Sequence, residues 1–201
     1  MSYFIKLGLV LLIITAIASG ILAYVNDLTK DKIAENKVKA EELARIEVLP
    51  GTAKFDKQSV ILPPVQAEPN PLKKQVAEGP LEFVYYSGLD TEGNLTGYTF
   101  VASQYGYSSE VKTMVGVDTA MNIIKIKVIE QAETPGLGAN AATDVFRQRF
   151  EKKQISELKV DKDGGEIVSL TGATITSRAV TNSIAAGLQI LTDAVGKEEE
   201  R

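Results

Sequence analysis

The rhythm of apolar and polar positions changes several times along the chain. Residues 7–25 form an uncharged run of 19 residues. As a helix the run spans about 28 Å at 1.5 Å per residue, close to the hydrocarbon thickness of a bilayer. Tyr3 and Tyr24 lie near its ends, where amphipathic aromatics favour the interface, and Lys6 precedes it. The positive bias before the run predicts a single-pass anchor in the inner (cytoplasmic) membrane, N-terminus inside, with the remainder extracytoplasmic or periplasmic. A cleaved signal peptide is the competing reading, because Ala16-Ile17-Ala18 loosely fits a small-residue cleavage site. The apolar run continues past that point, which favours a retained anchor.

From Asp27 to Glu47 the chain turns charged, with Ile33, Val38, Leu43 and Ile46 spaced like one edge of a helix. A solvated helix continuing the span is expected, stopped at Leu49-Pro50-Gly51. Pro63, Pro64, Pro69 and Pro71 predict a semi-extended connector or edge segment. Strand patterns follow at 81–87, 97–102, 111–117 and 123–129, joined by short polar links at 90–94 and 118–122, and argue for antiparallel pairing. A helix is expected over 141–152, with Val145, Phe146 and Phe150 on one side, and a last short strand over 165–170. Val180, Ile184, Leu188, Leu191 and Val195 then recur at steps of three and four, the stripe of an amphipathic helix capped by Thr176 or Ser177. The expected fold class is α+β: a transmembrane helix followed by an antiparallel sheet with packed helices. The expected segments are an anchor over 1–26, a charged helix over 27–50, a Pro-containing connector over 51–80, a globular domain over 81–196 and a charged tail over 197–201.

Composition narrows the chemistry. The 201 residues carry a net charge of −4, which gives no footprint for nucleic acid. The chain has no cysteine and no histidine. Disulfides, thiolate metal sites and Fe–S ligation are excluded, and hydrolytic triads and zinc chemistry lose their usual side chains. Redox work by such a chain falls to a bound organic cofactor.

Two stretches stand out. The first brings hydroxyls at Ser169, Thr171, Thr174, Thr176 and Ser177 into the entry of the last helix, with Gly172 and Ala173 between them. Free amides and the helix dipole favour a phosphate there, and glycine lets an anion or an enzyme approach the backbone. Thr171-Gly172-Ala173-Thr174 resembles the flavinylation motif of the FMN-binding domain family. In that family the last threonine carries FMN as a phosphoester, installed from FAD by a flavin transferase. The resemblance therefore implies covalent FMN at Thr174, with Thr171, Gly172, Ala173 and Ser177 around it. Ser169 departs from the family, which often has an aspartate two residues before the first Ser/Thr of the motif.

The second stretch is Glu133-Thr134-Pro135-Gly136-Leu137-Gly138, a tight loop whose amides can face a ligand. It resembles the second hallmark of the same family at all six positions, and there it borders the flavin. The resemblance makes Glu133, Thr134, Leu137 and Gly138 cofactor contacts. Tyr105-Gly106-Tyr107 is similar to a family Gly-Tyr-Gly segment but reads better as a plain turn with surface tyrosines. Phe150-Glu151-Lys152-Lys153 is similar to a family Phe-Lys-Gly-Lys segment, departing at Glu151 and Lys152, and implies Lys153 near the flavin or its phosphate.

The order of span, charged helix, Leu-Pro-Gly break, strands and both motifs resembles the G subunits of the Rnf complexes, the ion-translocating ferredoxin:NAD oxidoreductases. The C subunits of the sodium-pumping NADH:quinone oxidoreductases are near relatives. The resemblance implies an electron-transfer subunit with no independent catalytic site of its own. Its implied partners are the other membrane subunits, notably a flavin-bearing D subunit and the A and E subunits, which hold an Fe–S centre. The transferase during maturation and membrane lipid are the remaining ones. An anchored flavin-binding sensor would share both motifs. A pilin-like protein would need an acidic residue within 7–25, where there is none.

Overall fold

The computed structural model describes residues 2–62 and 81–199. The chain divides into two units, Met1–Glu42 and Leu43–Arg201. Helix α1 (Ser2–Val48) supplies the first unit, and its last turn belongs to the second. Within the first unit the apolar stretch is fully exposed, and among the described residues α1 is the helix long and apolar enough to cross a membrane. Within this stretch the Thr15 hydroxyl is turned back on the backbone, donating to the Leu11 carbonyl at 3.0 Å. The expected solvated helix is present, with Ile33 and Val38 both exposed.

The second unit is built on a five-stranded antiparallel meander in the order β1-β2-β3-β4-β5. Its strands are β1 (Lys54–Leu62), β2 (Leu81–Leu89), β3 (Leu95–Tyr105), β4 (Glu110–Val117) and β5 (Ile123–Glu130). Two of the hairpins are closed by the same device. Asp90 accepts from the amides of Glu92 and Asn94 at 2.8 and 2.9 Å, and Asp118 accepts from those of Ala120 and Asn122 at 2.9 and 2.8 Å. Such aspartate side chains stand in for a backbone turn. The left-handed position falls on Gly93 in the first turn and on Met121 in the second, at φ 86° and 62°.

Helix α3 (Thr174–Glu199) lies across one face of the sheet. Val180, Ile184, Leu188 and Leu191 are essentially inaccessible and meet Tyr98, Phe100, Val115 and Val117 in one cluster. Each such side chain contributes roughly 1.5–3 kcal/mol on burial. The close approach depends on Gly187, where a Cβ would stand 2.3 Å from the Phe100 ring. The opposite face is covered by the last turn of α1, through Ala44 and Val48 packed on Met114. A Cβ at Gly116 would stand 2.2 Å from the Val48 carbonyl, so glycine is what admits this turn. Glu47 pairs with Lys125 at 3.1 Å, with Lys127, and with Arg147 at 3.5 Å. The Arg45 guanidinium lies 3.5 Å from the centre of the Tyr86 ring.

Four local expectations are corrected. Residues 54–62, expected within a connector, form β1, paired with β2 from Lys54↔Leu89 to Leu62↔Leu81. The remainder of that connector, 63–80, lies outside the described residues. The helix expected over 141–152 is a chain of single turns: 3-10 turns at Gly138–Ala142 and Gln148–Phe150 flank the four-residue α2 (Asp144–Arg147). Thr143 is extended and breaks the run, Val145 is exposed, and Phe146 and Phe150 are buried edge to face at 5.4 Å. The strand expected over 165–170 is reduced to a single parallel bridge, Val160↔Ile167. Beyond that bridge, side chains rather than a ladder take the Ser169 and Leu170 amides. Finally, α3 begins at Thr174, so neither Thr176 nor Ser177 is its cap.

Candidate functional site

The two loops singled out by their residues come together. Glu133 is 6% exposed at the end of the segment that leaves β5. One carboxylate oxygen accepts from the Ser108 and Ser109 amides at 2.9 and 3.0 Å, and the other accepts from the Thr176 hydroxyl at 2.8 Å. Burial pushes its pKa up, but these hydrogen bonds outweigh burial and hold it below the ordinary 4.5. The carboxylate therefore stays ionised and ties three segments to one point. Glycine is required around it: a Cβ at Gly106 would stand 2.6 Å from one oxygen and a Cβ at Gly138 2.5 Å from the other.

Above this anchor opens a cleft of about 450 Å³, within the size range of small-molecule sites. Glu133, Thr134, Leu137 and Gly138 line one side. Gly172, Ala173 and Thr174 line the other. Gly172 sits at φ 74°, a left-handed bend that favours glycine. The amides of Thr174, Ile175 and Thr176 precede the first helical bond of α3, from the Ser177 N–H to the Ala173 carbonyl at 3.0 Å. Together with the helix dipole they suit a phosphate. Leu137 and Ile175, both partly exposed, give the cleft apolar surface suited to a flat aromatic ring system. The residues present thus fit a flavin, with amides for its phosphate and apolar surface for its ring.

The hydroxyls of the last loop divide by role. Thr176 is buried on Glu133. Ser177 is also buried, accepting from the Leu170 amide at 2.9 Å and donating to the Ala173 carbonyl at 3.0 Å. Ser169 donates its amide and hydroxyl to Asp161 at 2.9 and 2.5 Å. Thr171 is exposed and does not line the cleft. Thr174 lines the cleft, is half-buried, and makes no hydrogen bond through its hydroxyl with the described residues. Glu133, held on Ser108, Ser109 and Thr176, makes no hydrogen bond to it and so is not placed as its general base.

Three of the residues implied by resemblance fall outside the cleft lining: Thr171, Ser177 and Lys153. Ser177 supports the loop from beneath. Lys153 is taken by carboxylates, Glu166 first and Glu157 at 3.0 Å, and these raise its pKa. Three lining residues were not expected there: Tyr107, Ile175 and Thr176. Tyr107 is delivered by the turn whose amides Glu133 holds, a link between residues far apart in sequence. Ile175 could have been found, since it follows Thr174 on the exposed side of a helix start.

Comparison with known proteins shows the family and the fold. Residues 106–189 match the model of the FMN-binding domain, and residues 3–47 match the model of the RnfG N-terminal region. The G subunit of the Na(+)-translocating ferredoxin:NAD(+) oxidoreductase complex of Acetobacterium woodii is 36% identical over 191 residues, covering 92% of this chain and 90% of that protein. The G subunit of an ion-translocating oxidoreductase complex of Pasteurella multocida is 30% identical over 210 residues, covering 98% and 95%. Among solved structures, NqrC of Shewanella oneidensis shares the fold with a TM-score of 0.54 at 17% identity, over 74% of this chain and 91% of that one.

Proposed function

This chain belongs to the family of G subunits of ion-translocating oxidoreductase complexes, and from that premise we propose that it is the electron-transfer subunit of such a complex, carrying FMN esterified through its phosphate to Thr174. The observation that supports attachment there is the division of hydroxyls: of those between Ser169 and Ser177, the Thr174 hydroxyl is the one that both lines the cleft and is left unbonded by the described residues. A transferase would join the Thr174 oxygen to the FMN phosphorus of FAD. The pyrophosphate bond breaks, AMP leaves, and the hydroxyl proton passes to the transferase or solvent. Its base would come from the transferase, since Glu133 is hydrogen-bonded to Ser108, Ser109 and Thr176 and makes no hydrogen bond to Thr174.

Esterification lowers the phosphate charge from roughly −1.5 to −2 to about −1, so the amides at the start of α3 suffice without a cation. When bound, the isoalloxazine ring supplies the redox chemistry. The amides at the start of α3 would hold the flavin's phosphate, Leu137, Ile175 and Tyr107 would offer surface to its ring, and Glu133 braces the lining between them. The anchor keeps the N-terminus inside and the cleft outside the cytoplasm, where a tether prevents loss of flavin. Bound there, a flavin would supply one- and two-electron redox chemistry between the D subunit and the Fe–S centre of the A and E subunits.

Thr174→Val tests the attachment. Co-produced with the transferase, the wild-type chain should gain one FMN unit in intact mass and fluoresce after denaturing electrophoresis. The variant should fold, stay dark and keep its bare mass. A fluorescent variant band would move the attachment elsewhere.

A further inference from the structure

The Thr174 hydroxyl makes no hydrogen bond with the described residues that would hold it in place, so its position depends on what holds the loop around it. The 159–165 turn meets that loop on both shoulders. Asp161 accepts from the amide and hydroxyl of Ser169 at 2.9 and 2.5 Å, five residues before Thr174. Asp163 takes both ends of the Arg178 guanidinium, Nε at 2.8 Å and Nη2 at 2.6 Å, four residues after it. The turn is itself tightly closed. The Asp161 amide donates to the Ile167 carbonyl at 2.8 Å, and Gly164 takes the left-handed position at φ 84°. A Cβ at Gly165 would stand 2.0 Å from the Lys159 carbonyl. Between the two shoulders the chain bends at Gly172, the residue least able to hold a shape by itself.

We infer that Asp161 and Asp163 are positioning residues for flavin attachment, bracing the loop from Ser169 to Arg178 so that the Thr174 hydroxyl is presented to the transferase in a fixed place. The inference rests on Thr174 being the acceptor. The bidentate Arg178 pair fixes direction as well as distance. Hydrogen bonds from Ser169 hold the Asp161 carboxyl below its ordinary range, and Arg178 does the same for Asp163, so the brace persists through neutral pH. Misplacing a reacting atom by about 1 Å can cost on the order of 100-fold in rate.

The test uses the full-length chain in detergent as acceptor, with purified transferase and FAD, and follows mass gain against acceptor concentration. Asp161→Ala and Asp163→Ala should each slow attachment per folded molecule about tenfold or more at saturating acceptor, with kcat falling more than KM changes. Asp161→Asn, which keeps an acceptor for Ser169, should recover most of the rate. The exchanged pair Asp163→Arg with Arg178→Asp should recover part of it. These two also carry the test if an alanine variant fails to fold. Wild-type rates in both alanine variants overturn the brace, and so do folded Asp161→Asn and exchanged-pair variants that are as slow as each other. Failure of the acceptor reading is seen separately, as a Thr174→Val chain that still gains flavin.

Discussion

Glu133 offers the sharpest test of how the cleft is built. Glu133→Ala removes the acceptor for two amides and a hydroxyl at a site only 6% exposed. Each buried donor left unpaired costs about 1–3 kcal/mol, so the loss of stability should be roughly 3–5 kcal/mol, softened where water enters. Glu133→Gln keeps the shape. Its oxygen can still take the Ser108 and Ser109 amides while its NH₂ donates to Thr176, leaving a cost of about 1–2 kcal/mol for the lost charge. The chain has no tryptophan, so urea unfolding is followed by tyrosine fluorescence, with amide exchange at Ser108 and Ser109 as the local readout. The sign with pH follows from the depressed pKa. The contribution of Glu133 is complete above the ordinary 4.5 and is lost as pH falls below it, so the gap between wild type and Gln should close in acid. An alanine variant less than about 1 kcal/mol weaker, with Ser108 and Ser109 still protected, would refute the anchor.

Lys152 stands at φ 61°, where a side chain is strained, so Lys152→Gly should stabilise by about 0.5–1 kcal/mol; a loss on chemical denaturation would contradict this. Glu47, held down to about 2 chiefly by Lys127, contributes stability that is present above its ordinary 4.5 and fades as pH falls toward 2. Its side chain is a third exposed, so screening leaves roughly 1–2 kcal/mol at neutral pH. Glu47→Gln should lose that amount at pH 7 and almost nothing near pH 2; a pH-independent difference would rule out the ion pairs as its source.

Much of this architecture is written in local patterns. The stripe from Val180 to Val195 is buried as its period requires, and the two motifs meet across the cleft although 36 residues separate Gly138 from Thr174. What escaped the sequence depends on partners distant along the chain. Strand β1 is half-buried at an edge and lacks the dense apolar alternation of β3 and β4, so its pattern is faint. Lys153, placed near the flavin by resemblance alone, is instead paired with Glu157 and Glu166, which the turns that follow bring beside it. Tyr107 is 70% exposed, as a surface tyrosine would be, and it lines the cleft because Glu133 holds the turn that carries it. Position 152 is instructive in the other direction. The family's glycine there and the left-handed backbone here have the same cause, and this chain accommodates a lysine at some cost in strain.

The way Ala44 and Val48 are seated over Gly116 has a practical consequence for anyone wishing to study the soluble half in isolation. Trimming the chain at the Leu49-Pro50-Gly51 stop would strip a lid from Met114 and strand Lys125 and Lys127 without their shared counterion. A fragment opening at Leu43 retains both, and its boundary lies six residues upstream of where punctuation in the sequence invites the cut.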